Sequence, residues 1–142
     1  MTRLLSSAFA ALFLFLCLPS LALAQSSGLK FKGFEEALEL AAKEDKMVMV
    51  YFWADWCGFC RKIESEVFAN EDVQKAFDQS FLAVSVNVQD DPGDLKGKYR
   101  ASALPTLTFL NSKGEKVVYW EGFTEAETFL KILEYINSEK KS

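Results

Sequence analysis

The sequence predicts a three-layer α/β sandwich, and three observations carry that prediction. Met47–Trp53 is an unbroken apolar, β-favouring run of strand length, as expected of a strand buried on both faces. Segments with helical apolar spacing alternate with this run and with a second apolar strand at 81–88. Two further strands, 106–110 and 116–120, are separated by Asn111-Ser112-Lys113-Gly114, a strong hairpin signal. The expected order is α-β-α-β-α-β-β-α, giving a mostly parallel sheet closed by one antiparallel hairpin and covered by helices on both sides.

Each element has its own reason. Residues 25–32 form a polar, glycine-containing lead-in. Phe34, Ala37, Leu38, Ala41 and Ala42 recur at helical spacing, with Glu35, Glu36, Glu39, Lys43 and Glu44 between them, which predicts an amphipathic helix ending near Asp45-Lys46. After the strand at 47–53, Ala54-Asp55-Trp56-Cys57 makes a tight turn into a helix over 57–67. Asn70 caps a short helix through Phe77, with Val73, Ala76 and Phe77 inward. An acidic loop, 89–94, follows the strand at 81–88, and 95–99 forms one or two helical turns. Thr124-Glu125-Ala126-Glu127 reads as a capping box for a last helix lined by Phe129, Leu130, Ile132, Leu133 and Ile136. The tail at 139–142 is expected to fray. No internal repeat or low-complexity stretch interrupts this order.

Composition narrows the chemistry. The 142 residues carry 20 acidic and 16 basic side chains, a net charge of −4, and no histidine. The charge argues against nucleic acid, whose phosphates demand a basic face. The missing histidine excludes a Ser-His-Asp or Cys-His catalytic pair and a histidine metal site. Acid–base chemistry must therefore use carboxylates, thiols, lysine, tyrosine or water.

The N-terminus is predicted not to belong to the fold. Arg3 is its only charge, 4–18 is apolar, Pro19-Ser20 breaks the run, and Ala22-Leu23-Ala24 offers a small-x-small cleavage site. That is the layout of a cleaved signal peptide over 1–24, with an uncut membrane anchor as the alternative. Cys17 would be removed with it. Cleavage leaves 118 of the 142 residues, as a single exported domain over 25–142, in an oxidising compartment, whose only cysteines are Cys57 and Cys60.

Those two cysteines sit where the strongest strand turns into a helix. A cysteine at the first helical position faces unpaired backbone N–H groups and the positive end of the helix dipole, which stabilise its thiolate. This assigns Cys57 the attack on a substrate disulfide. Cys60, one turn deeper on the same face, resolves the mixed disulfide. A structural staple is the first alternative, but a loop of about four residues gives a chain-entropy gain of only about 2 kcal/mol. A metal site is the second, and two thiolates without histidine leave it incomplete.

Phe52-Trp53-Ala54-Asp55-Trp56-Cys57-Gly58-Phe59-Cys60 and Ala103-Leu104-Pro105-Thr106 resemble the active-site and cis-proline segments of the thioredoxin superfamily. In particular, the chain from Phe34 to Tyr135 resembles the C-terminal periplasmic domain of the DsbD electron-transfer proteins. The resemblance implies a thioredoxin fold with a mixed central sheet. It also implies thiol–disulfide exchange through Cys57 and Cys60, with no cofactor beyond their disulfide and no metal. Pro105 matches the family's cis-proline, against a strand-starting trans proline as the alternative. Gly122 matches a glycine that keeps the substrate groove open, with Trp56, Phe59 and Leu104 as its apolar rim. Two positions depart from the pattern: Tyr51 stands where thioredoxin has a buried aspartate, and Ser85 where it has a lysine. Glu64, one turn past Cys60, matches an active-site acid of the DsbD-like domain and is the candidate proton relay.

Gly58 and Phe59 place no positive charge beside Cys57, which predicts a reducing poise. The expectation is a monomeric reductase of proteins with exposed disulfides, supplied with electrons by a membrane donor of the DsbD type. The alternatives are a disulfide isomerase or oxidase, and a Cu(I)-binding or chaperone module using the same thiols.

Overall fold

The computed structural model describes residues 28–139. The segment assigned to a signal peptide, Cys17 and the last three residues lie outside the described residues. In chain order the elements are β1 (Phe31–Lys32), α1 (Phe34–Glu44), β2 (Met47–Trp53), α2 (Gly58–Ile63), a π-helical turn (Glu64–Phe68), α3 (Glu71–Ser80), β3 (Phe81–Asn87), α4 (Leu95–Tyr99), β4 (Thr106–Leu110), β5 (Lys116–Glu121) and α5 (Ala126–Glu139). The strands form one sheet in the order β1-β3-β2-β4-β5. β3 is parallel to β1 and β2, whereas β4 is antiparallel to β2 and β5. The fold is the mixed sheet flanked by helices that the sequence predicts, with β1 as a fifth strand beyond the four expected and with two parallel and two antiparallel pairings where a mostly parallel sheet is expected.

β2 lies at the centre, and its lack of polar alternation follows from burial on both sides. Met47, Met49 and Tyr51 point into one layer with Ala83, Leu107 and Phe109, beneath Ile63, Phe68, Phe77, Phe129 and Leu133 of the helices on that face. Val48, Val50 and Phe52 point the other way, against Ala37 and Ala41 of α1 and Tyr99 of α4. Successive strand residues face opposite layers, so one continuous apolar run supplies both cores.

Local signals set the element ends. At the hairpin, the Asn111 side-chain oxygen accepts from the Lys113 and Glu115 N–H groups, and Gly114 adopts φ +78°. A side chain at Gly114 would be strained by that backbone conformation, although its Cβ would meet Leu38 only at ordinary contact distance. Asn70 caps α3, its side-chain oxygen accepting from the Asp72 and Val73 N–H groups at 3.0 and 3.2 Å. Asn70→Ala is expected to cost about 1 kcal/mol in urea unfolding, with Asn70→Ser recovering most of it. An equal loss in both variants would assign the effect to something other than the cap.

The structure corrects several boundaries. β1 falls in the expected polar lead-in; two residues are too few to show a period, and it is a strand because β3 offers Ala83 and Val84 as partners. α3 runs to Ser80, three residues past Phe77, because its last turn is polar and leaves no apolar mark. The helix after Cys57 gives way to a π turn at Glu64 instead of staying regular to Val67. β3 stops at Asn87, whose side-chain oxygen takes the Gln89 N–H in a local turn. The expected capping box does not form: α5 opens at Ala126, and the Glu127 carboxylate pairs with Lys131 at 2.8 Å.

Candidate functional site

The site lies where β2 ends. Phe52 pairs with Thr106 at the start of β4, and Thr106 pairs in turn with Glu121 at the end of β5. This register brings three chain segments to one end of the sheet: the turn after β2, the Leu104-Pro105 segment before β4, and Gly122 after β5.

The turn after β2 closes when the Cys57 N–H bonds the Ala54 carbonyl at 3.0 Å. Cys57 is then the N-cap of α2 with extended backbone, one position earlier than the sequence predicts. The physical consequence is similar, because an N-cap side chain also faces the free amides of the first turn. The Cys60 N–H is directed at the Cys57 Sγ, 3.1 Å away. The two cysteines are joined as a disulfide with their Cα atoms 5.2 Å apart. Cys57 retains 5% exposure and Cys60 1%, so Cys57 is the member of the pair nearer solvent.

Two large aromatics flank this buried pair in the open. Trp56 is 68% exposed and Phe59 63%, although both are side chains that normally bury. Leu104 is half-buried and Pro105 buried, and the peptide between them is cis. The Gly122 N–H donates to the Pro105 carbonyl at 2.8 Å, tying the two segments together. Gly122 has φ +87°, and a Cβ there would meet no atom within 4 Å. Its backbone conformation requires glycine; crowding does not.

Beneath the pair lies Tyr51, fully buried in β2. Its hydroxyl is 2.9 Å from Glu64 Oε1 and 3.2 Å from the Cys60 carbonyl oxygen. Burial, and secondarily the hydrogen bond and charge of Glu64, push the Tyr51 hydroxyl well above the usual phenol range. Its hydroxyl is a donor in this geometry, with the Glu64 carboxylate the nearer acceptor. Ser85 sits beside Tyr51 in the sheet, but its hydroxyl accepts the Trp53 indole N–H at 2.7 Å.

Sequence reasoning missed a latch on the outer side of the turn. The Gln89 side-chain oxygen accepts the Asp55 N–H at 3.0 Å, and the Arg61 guanidinium donates to the Asp55 carbonyl at 2.7 Å. Asp55 thus acts through its backbone, as a turn residue. Gln89 lies 34 positions from Asp55 in a loop without periodicity, so no pattern in the sequence marks the pairing. The same holds for the Lys62 ammonium, 4.2 Å above the Phe123 ring.

Comparison with known proteins agrees with this geometry. A family model described as a thioredoxin-like domain matches residues 34–137. The thiol:disulfide interchange protein DsbD of Pasteurella multocida is 31% identical over 103 residues, covering 70% of this chain and 18% of that protein. The chain thus spans less than a fifth of the length of that relative. The solution structure of a thioredoxin from Thermus thermophilus superposes with a TM-score of 0.69 at 31% identity, over 77% of this chain and 87% of that one. The oxidised C-terminal domain of Neisseria meningitidis DsbD gives 0.59 at 26% identity, over 71% and 90%.

Proposed function

This chain belongs to the thioredoxin-like domain family and carries its Cys-x-x-Cys pair as a disulfide, and from that premise we propose that it is an exported reductase of protein disulfides. The observation that carries the reading is the asymmetry of the pair: Cys57 caps a helix and keeps 5% exposure, and Cys60, at 1%, lies closed beneath it.

In the reduced protein the Cys57 thiolate, favoured by the amides at the start of α2, attacks one sulfur of a substrate disulfide. That bond breaks, the other substrate sulfur departs as thiolate and takes a proton, and Cys57 is left in a mixed disulfide. The Cys60 thiol then gives its proton to the Glu64 carboxylate, and the resulting thiolate attacks Cys57 Sγ. The second substrate sulfur leaves with the electron pair and is protonated. Two electrons and two protons have passed to the substrate, and Cys57–Cys60 is oxidised. Trp56, Phe59, Leu104 and Pro105 form the apolar rim against which the substrate chain lies, and Gly122 leaves the groove beside Pro105 clear.

The direction of flow rests on charge. Gly58 and Phe59 bring no cation to Cys57, and the nearby Arg61 guanidinium is engaged with the Asp55 carbonyl. A thiolate without such support is less stabilised relative to the disulfide, so the couple is reducing. Equilibration with a redox couple of known potential is expected to place it near the thioredoxin end of the range, about −270 to −200 mV. A value near the about −120 mV of the strongest periplasmic oxidants would make it an oxidase instead. Residues 1–24 support export. Re-reduction in an oxidising compartment calls for a membrane electron donor of the DsbD type, with the protein acting as a monomer on proteins whose disulfides are exposed.

A further inference from the structure

We infer that Tyr51 is a positioning residue for thiol–disulfide exchange: its hydroxyl clamps the Glu64 carboxylate against the buried side of the turn that carries Cys60. The inference rests on the reading that Glu64 accepts the Cys60 proton.

The clamp is rigid on the tyrosine side. The ring is held edge-on by Phe68, with centroids 5.1 Å apart, and stacked by Phe31 at 6.2 Å. Its position in the middle of a doubly buried strand leaves the hydroxyl one outlet, toward the helix above. A phenol has one proton to donate, and the shorter, charge-assisted contact is the one to Glu64. The Cys60 carbonyl also receives the Glu64 N–H, so the side chain and backbone of Glu64 are both referred to the same cysteine.

The helix is irregular at this point. The π turn starts at Glu64, whose carbonyl accepts the Ala69 N–H five residues on. No ion pair holds Glu64 among the described residues. On the helical segment of Glu64, Arg61 donates to the Asp55 carbonyl and Lys62 lies 3.9 Å from Glu66; on the helices packed against the π turn, Asp72 pairs with Lys75 and Glu127 with Lys131, and Lys32 of β1 pairs with Glu36. A half-buried carboxylate held by a cation would be a poor base. One held by a neutral hydroxyl keeps its orientation without a counter-charge beside it.

The test is the pH dependence of single-turnover reduction of a disulfide peptide by the reduced protein, in four variants. Tyr51→Phe removes only the donor. The charged form of a carboxylate deprived of a donor is less stabilised, so the acid limb of the profile is expected to move to higher pH. Glu64→Asp keeps the base but draws it back from the hydroxyl, and is expected to produce a similar shift even if Tyr51→Phe folds poorly. Glu64→Gln is expected to slow exchange about tenfold or more and remove that limb. Tyr51→Phe/Glu64→Gln is expected to be no slower than Glu64→Gln alone. Unshifted Tyr51→Phe and Glu64→Asp profiles beside an altered Glu64→Gln would overturn the clamp and leave Glu64 as the base. A Glu64→Gln profile superimposed on the wild type would overturn the role of Glu64 itself. Additive losses in the double variant would also sink the clamp, since two independent residues do not share one function.

Discussion

Cys57→Ser is expected to bring insulin reduction by dithiothreitol down to the uncatalysed rate, because a serine hydroxyl is almost never ionised near neutrality. Cys60→Ala is expected to fail differently. It retains the attacking sulfur, so substrate becomes attached and stays attached, giving a mass adduct that dithiothreitol releases. The difference follows from the accessibility of the pair, 5% for Cys57 against 1% for Cys60. Neither variant should unfold the protein, since a cross-link over about four residues contributes only about 2 kcal/mol. Adducts on Cys57→Ser, or residual turnover in it, would show that Cys60 attacks and would reverse the assignment. Adducts recovered from the native compartment would also identify the substrates.

Phe129→Ala is expected to have the largest effect on stability, a loss of about 3–5 kcal/mol in urea unfolding. Phe129 is fully buried, and its ring lies 6.2 Å from Phe68 and 6.3 Å from Phe77. Phe77 passes the contact to Phe81, and Phe81 to Phe109 in the middle of the sheet. One ring therefore joins α5 to the π turn, to α3 and, through them, to the strands. Few small domains have more than about 5–15 kcal/mol in total, so this variant would populate unfolded chain measurably at moderate temperature. Tyr135, on the same helix but 59% exposed, is the control: its replacement by alanine should change stability by less than about 0.5 kcal/mol. A Phe129→Ala loss below about 1 kcal/mol would mean that α5 is not seated on this face.

Much of the fold was legible because its signals are local. The apolar run of β2 matches its observed bounds, and so do α4 and β4. Asn70 and the Asn111–Gly114 turn act within a few residues of themselves, and their hydrogen bonds are the ones their side chains suggest. The capping box at Thr124 misled for a physical reason: Glu127 had a second option, a lysine four residues on, and the helix opened one residue later. β1 was invisible because its strand character comes entirely from its partner.

The sequence by itself determined the order of elements from α1 onward, the doubly buried central strand, and two cysteines three apart at the start of a helix. Each of those depends on the spacing of neighbours along the chain. The tertiary structure alone decided that the Tyr51 hydroxyl meets Glu64, 13 positions away, and that Gln89 steadies the turn before Cys57. It also decided that the Pro105 carbonyl is tied to Gly122. Those pairings follow from strand register and from how a helix sits on the sheet. The energies that fix register and docking are sums over many buried contacts, and no short window of sequence contains them.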